Sequence, residues 1–117
     1  MPRVSVVIPA YNAAALLGGT LESTLNSIYQ DMEIIVVNDG SQDETAGVAS
    51  SFGHRVRVIT QKNAGMSASR NRGIEESDSE FIALLDSDDI WHKVASSRPE
   101  ESSRTCLLFH RIQKLAR

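Results

Sequence analysis

Three carboxylates crowd one short stretch of this chain. Asp86, Asp88 and Asp89 follow directly on the apolar run 81–85, in the order F-I-A-L-L-D-S-D-D-I-W up to Trp91. At ~4 Å and an effective dielectric near 20, one like-charge pair costs about 4 kcal/mol. A buried strand end does not tolerate that without a counter-cation. A hard divalent ion, Mg²⁺ or Mn²⁺, relieves it, held by one or two carboxylates and completed by phosphate oxygens and water. On spacing alone, a solvated Asp-rich turn capping the next helix accounts for the same residues equally well. A second acid, Asp39, ends another apolar run and precedes Gly40. A carboxylate there can accept the N3 hydrogen of uracil, whereas cytosine would present it with a lone pair. Taken alone, Asp39 also reads as a turn residue bonded to its own backbone.

These acids need a frame. The stretch 4–8 is β-branched and nearly all apolar, a buried strand ending at Pro9. Asn12 is placed to cap the helix that follows. Leu17, Leu21, Leu25 and Ile28 recur at helical spacing and form one core-facing stripe. The second strand is 33–37, closed by Asn38-Asp39-Gly40-Ser41. Ser41 and Glu44 have capping-box spacing, and Thr45, Val48, Ala49 and Phe52 give the next helix its buried face. Gly53 is a left-handed terminator. A third strand, 56–60, belongs nearer a sheet edge because Arg57 interrupts it. After the polar loop 61–65, residues 67–76 have helical composition, with Ala68 and Ile74 facing inward. Arg70 and Arg72 lie on that helix, either on a solvated face or, Arg70 above all, in contact with a phosphate. The run 81–85 is the fourth strand.

The order is βαβαβαβ, which predicts an α/β fold with a mostly parallel open sheet. Such a sheet collects Pro9, Ala10 and Tyr11, then Asp39, then Asp86 and Asp88 along the edge where its strands end. If the first strand lies between the second and the fourth, the chain reverses there and a crevice opens. A nucleoside diphosphate fits that layout. Its base lies near Asp39, with the Tyr11 ring stacked on it and the backbone of Ala10 and Tyr11 at its polar groups. Its phosphates lie on the metal.

The chain has 117 residues, 41% of them hydrophobic and 23% charged, the profile of one soluble globular domain. Cys106 is the sole cysteine, so no internal disulfide forms and a reducing, cytoplasmic setting is expected. No stretch reads as a signal peptide or membrane span. Residues 1–91 carry six Lys/Arg against thirteen Asp/Glu, which argues against a nucleic-acid partner. Residues 92–117 reverse the sign, with six Lys/Arg against two Glu.

Four motifs in order resemble the inverting nucleotide-sugar glycosyltransferases of the large family 2, which have the GT-A fold. They are V-S-V-V-I-P-A-Y-N at 4–12, I-I-V-V-N-D-G-S-Q-D at 34–43, N-A-G-M-S-A-S-R-N-R-G-I at 63–74, and the acidic stretch at 81–91. The resemblance implies a nucleotide-sugar donor, most often a UDP-sugar, a divalent metal, and a saccharide or lipid-linked acceptor. It makes Asp39 the uracil-binding acid and Pro9, Ala10 and Tyr11 the base-binding loop. Asp86-Ser87-Asp88 becomes the D-x-D motif, with Asp88 the direct metal ligand and Asp86 beside it.

After Trp91 the resemblance stops. The family continues with a second half that supplies acceptor contacts and a general base. Residues 92–117 match no such pattern, so no catalytic base is assigned. They read as a Ser- and Arg-rich tail, as after a truncation or a shifted reading frame. Leu108, Ile112 and Leu115 are spaced for a short basic amphipathic helix that could touch the inner face of a membrane. A plain terminal helix or an unstructured tail is the simpler reading.

Two alternatives to an enzyme remain at this point. One is a module that binds nucleotide and metal without transfer. The other is a receiver-like signalling domain, which needs an acidic pair after strand one and a phosphorylatable Asp after strand three. The chain has Pro-Ala-Tyr-Asn and Thr60-Gln61-Lys62 at those places.

Overall fold

The computed structural model describes residues 4–26 and 32–87 and the backbone of 108–111. Its elements are β1 (Val4–Ala10), α1 (Ala14–Leu25), β2 (Met32–Asp39), α2 (Thr45–Ser50), a 3₁₀ turn at Gly53–Arg55, β3 (Val56–Gln61), α3 (Met66–Glu76), β4 (Phe81–Leu84) and β5 (Leu108–Arg111). The sheet order is β3-β2-β1-β4-β5. The first four strands are parallel, and β5 runs antiparallel to β4. The expected α/β architecture is therefore present, with β1 between β2 and β4.

The apolar runs become strands buried on both faces. Every residue of β1 is buried, and so are the last six of β2. On one face Val4, Val6, Ile8, Ile34 and Val36 pack with Leu17 and Leu21 of α1 and Ala49 of α2. The other pleat face carries Val7, Ile35 and Val37, and α3 lies over it. β3 is an edge strand, exposed at Arg57 and Thr60, as the interruption by Arg57 suggested. The Arg57 guanidinium donates to the Glu76 carbonyl at 3.0 Å, tying β3 to the end of α3.

Ser5 is the polar exception in β1, and it is fully buried. Its hydroxyl lies 2.5 Å from that of Ser77 and 2.7 Å from that of Ser79, and 3.1 Å from a Glu33 carboxylate oxygen. A buried hydroxyl without partners would cost free energy; this cluster supplies them.

Several local expectations need correction. β1 runs on through Pro9 to Ala10, because Pro9 and Ala10 still pair with Val37 and Asn38. In α3 the residues that face inward are Ser69 and Gly73, while Ala68 and Ile74 are only half-buried. The reason is the close approach of α3 to the sheet. A Cβ on Gly73 would overlap the Val7 side chain, so a small residue must face the strand. The expected capping box of Ser41 and Glu44 does not form, and Asn12 caps nothing in its own helix. The side chains of Asn12 and Ser41 have other partners, described below. Gly53 does take the left-handed conformation, at φ 72°. In the tail, Leu108 begins a strand where a terminal helix or an unstructured tail was expected. β4 has an open side there, and pairing with β5 satisfies its edge groups. Ile28, Ile112 and Leu115 lie outside the described residues.

Candidate functional site

Three parallel strands deliver their C-terminal loops to one edge around β1. The loops after β1 and β2 are stitched together. Asn12, at φ 49°, receives the Gln42 N–H on its Oδ1 at 2.8 Å, and its own N–H donates to Ser41 Oγ at 2.9 Å. The first turn of α1 is capped from the neighbouring loop. The Ala13 N–H donates to Thr45 Oγ1 at 2.9 Å, and the Ala14 N–H donates to Asp43 Oδ2 at 3.2 Å. Asp43 Oδ1 in turn accepts the Thr45 N–H and hydroxyl. The Thr45 bonds, opposed by partial desolvation, hold the Asp43 carboxyl below its usual pKa. Tyr11 emerges from this rigid base with 46% of its surface exposed.

Asp39 closes β2 and is only 1% exposed. Its Oδ1 accepts from Gln61 Nε2 at 2.9 Å and from the Ala64 N–H at 2.8 Å. Its Oδ2 accepts from the Gly65 N–H at 2.9 Å and from Asn63 Nδ2 at 3.3 Å. An ionised carboxylate offers about four lone-pair sites, so this one is fully occupied within its own loops. Burial alone would raise its pKa, but the bonds from Gln61, Ala64, Gly65 and Ser69 outweigh that and lower it. Gly40 makes the approach of the two loops feasible. It sits at φ 72°, and a Cβ there would lie 2.7 Å from the Asn63 nitrogen.

Across the edge, the Leu85 N–H continues the β4 ladder by donating to the Val7 carbonyl at 3.1 Å. Asp86 then turns outward, with its side chain 55% exposed and Oδ1 3.5 Å from Arg70 Nη2. Arg72 instead pairs with Glu76 on its own helix, the solvated-face alternative. So Tyr11, Asp39, Arg70 and Asp86 all belong to the C-terminal end of the sheet. Pro9 and Ala10 lie buried in β1 beneath them. Asp88 and Asp89 lie outside the described residues.

Among the described residues no three His, Cys, Asp or Glu side chains converge as a metal cage. That does not disfavour Mg²⁺, which is commonly held by one or two carboxylates plus substrate phosphates. The exposed Asp86 carboxylate is a hard oxygen donor of that kind. A groove of about 580 Å³ lies at the opposite end of the sheet, among Thr24, Leu25, Met32, His54 and Arg55, and contains none of these groups. Among the described residues no helix is long and apolar enough to cross a membrane.

The site has members to which the sequence reading gave no role. Gln61, Asn63 and the amides of Ala64 and Gly65 surround Asp39. The N-A-G triplet after β3 was a signal for them, since it combines a side-chain donor with a residue suited to positive φ, and Gly65 adopts φ 99°.

The family model for glycosyl transferase family 2 matches residues 5–95. The chain belongs to that family. Among its relatives in this family, a glycosyltransferase of Rickettsia felis is 40% identical over 93 residues, covering 78% of this chain and 15% of that protein. GlyA of Streptococcus pneumoniae is 38% identical over 90 residues, covering 74% of this chain and 13% of GlyA. In structure, S. aureus TarS 1–349 in complex with UDP-GlcNAc superposes with a TM-score of 0.74 at 27% identity, over 78% of this chain and 28% of TarS. The family 2 chain described here thus spans less than a third of the length of these proteins. Its parallel sheet with alternating helices is the GT-A arrangement.

Proposed function

We propose that this chain binds a nucleotide-diphosphate sugar, by preference a UDP-sugar, at the C-terminal edge of its sheet, for transfer to an acceptor hydroxyl. The observation that carries this reading is the placement of Asp39 on one side of β1 and of Arg70 with Asp86 on the other. The chain reverses direction at β1, which is where open α/β sheets take ligands. The family's motifs and the binding of UDP-GlcNAc by TarS support it further.

In this reading the Tyr11 ring stacks on the base, and the backbone of the loop after Pro9 and Ala10 meets its polar edge. Asp39 accepts the uracil N3 hydrogen, and the amide of Asn63, its longest partner at 3.3 Å, gives way. The donors that stay, Gln61 and the amides of Ala64 and Gly65 among them, keep Asp39 ionised and fixed. Arg70 swings from Asp86 onto the diphosphate oxygens. Asp86 and Asp88 would hold Mg²⁺ or Mn²⁺, whose contribution is Lewis-acid stabilisation of the departing diphosphate. An acceptor hydroxyl, on a saccharide or a lipid-linked carrier, attacks the anomeric carbon opposite the diphosphate and inverts it. The anomeric bond to the diphosphate breaks, and the hydroxyl proton passes to a base for which no residue of this chain is assigned.

Calorimetric titration with UDP, CDP and GDP tests the reading. UDP should bind most tightly, by about tenfold or more over CDP, because a charge-assisted hydrogen bond is worth about 1.5–3 kcal/mol. Heat-silent titrations with all three nucleotides would overturn it.

A further inference from the structure

We propose that Thr20 is a positioning residue for Asp86: its hydroxyl holds the backbone of the acid loop so that the Asp86 carboxylate is presented to a metal-bound diphosphate. The inference rests on the nucleotide reading above.

The observation is a hydrogen bond out of a helix. Leu17, Thr20, Leu21 and Thr24 form the buried stripe of α1. Two threonines in such a stripe each bring a hydroxyl that must be satisfied. Thr24 does what buried helical threonines commonly do, and donates to the carbonyl one turn back, Thr20 O, at 2.8 Å. Thr20 has the same option but lies 3.4 Å from Leu16 O. It lies 2.7 Å from the Ser87 carbonyl instead. A hydroxyl has one hydrogen, and the shorter contact takes it. Thr20 is 1% exposed, so its hydroxyl relies on partners within the protein.

The consequence falls on Asp86. The Leu84–Leu85 peptide group is held by β1, through the Leu85 N–H on Val7 O at 3.1 Å. The Ser87 carbonyl, one residue past Asp86, is held by α1, through Thr20. Peptide groups are planar, so only the φ and ψ of Leu85, Asp86 and Ser87 lie between the two anchors. Asp86 is thus the centre of a short span anchored at both ends, while its side chain stays 55% exposed and turned toward Arg70. A protein needs this combination to offer a carboxylate to a ligand without paying to order it at the moment of binding. Groups that orient a metal-ligating side chain are typically worth about 10–100-fold in metal affinity.

The test compares Thr20→Val, which keeps the shape and removes the donor, with Thr20→Ser, which keeps the donor. Thr20→Cys, a weak donor, falls between them. Thr24→Val removes the equally buried hydroxyl that bonds only within α1. For each variant of the full chain, UDP affinity is measured with Mn²⁺ and with EDTA, and the ratio is the readout. Thr20→Val should lower the ratio about tenfold, while Thr20→Ser and Thr24→Val keep it. The affinity in EDTA should not change. An unchanged ratio in Thr20→Val, or an equal fall in Thr24→Val, overturns the proposal, since a merely structural hydroxyl would lower stability and leave the ratio alone. If the unsubstituted chain shows no metal-dependent affinity, the nucleotide reading is what fails. Amide hydrogen exchange at residues 85–87 then decides whether Thr20 holds the loop. Exchange about two- to tenfold faster in Thr20→Val alone supports the tie, and equal exchange removes it.

Discussion

Arg70 and Asp86 face each other across the open end of the sheet, Nη2 to Oδ1 at 3.5 Å, one from α3 and the other from the loop after β4. Their side chains are 37% and 55% exposed. Pairs this exposed contribute about 0–1 kcal/mol to stability. The pair therefore makes little sense as a structural device. Under the proposed nucleotide reading, it is a cation and an acid available to a diphosphate and its metal.

Arg70→Ala should then leave thermal stability almost unchanged and weaken UDP about tenfold, in line with loss of one charge-assisted contact. Binding of uridine, which lacks the phosphates, should hardly move. Titrating both ligands against both proteins checks this. An equal loss for UDP and uridine would place Arg70 at the base.

Asp39→Asn should destabilise the fold as well as the site. The carboxylate accepts from Gln61, Asn63, Ala64 and Gly65. An amide replaces one acceptor oxygen by a donor and turns it toward N–H groups. Leaving buried donors unmet costs about 1–3 kcal/mol. Urea unfolding should register that loss, and the preference for UDP over CDP should shrink. An unchanged stability would mean that the loops do not depend on this acid.

Acid should act through the same carboxyl and through Asp43. Both have folded pKa values lowered from 3.8. A depressed carboxylate binds fewer protons folded than unfolded, so its contribution is complete above the unfolded value and is lost as pH falls through the folded one. Urea midpoints should stay level down to about pH 5 and drop below about pH 4. Asp39→Asn should flatten part of that drop. A midpoint that rose on acidification would contradict the sign.

Gly73→Ala separates helix propensity from packing. In a free helix, alanine would gain about 1 kcal/mol over glycine. Here its Cβ would overlap Val7 in β1, and overpacking typically costs about 1–3 kcal/mol. Net destabilisation is expected in urea melts. A more stable variant would show that α3 can move off the sheet.

The buried strands were legible because a strand buried on both faces writes itself as an apolar run, and 4–8, 34–37 and 81–85 are such runs. Their order in the sheet was a supposition, and β5 was not foreseen. The acids at their ends were legible for the same reason, since a charge after an apolar run marks the strand terminus. What stayed hidden depends on pairing between segments. Asn12 and Ser41 look like helix caps when each is read with its own helix, yet they bond to each other's loops. Asp39 looks like an open acid, yet the segment after β3 wraps it. Ser69 and Gly73 face the sheet because α3 lies close, a distance that no spacing along the chain encodes.

The central claim is that a nucleoside diphosphate sits between Asp39 and Asp86 with a divalent ion on its phosphates. The most direct measurement is the UDP dissociation constant of the unsubstituted chain in Mn²⁺ and in EDTA, repeated with Asp86→Asn. The account predicts binding at least about tenfold tighter in Mn²⁺, with most of that gain gone in Asp86→Asn and the affinity in EDTA retained. Equal UDP affinity in Mn²⁺ and EDTA, or a metal gain that survives Asp86→Asn intact, would contradict it.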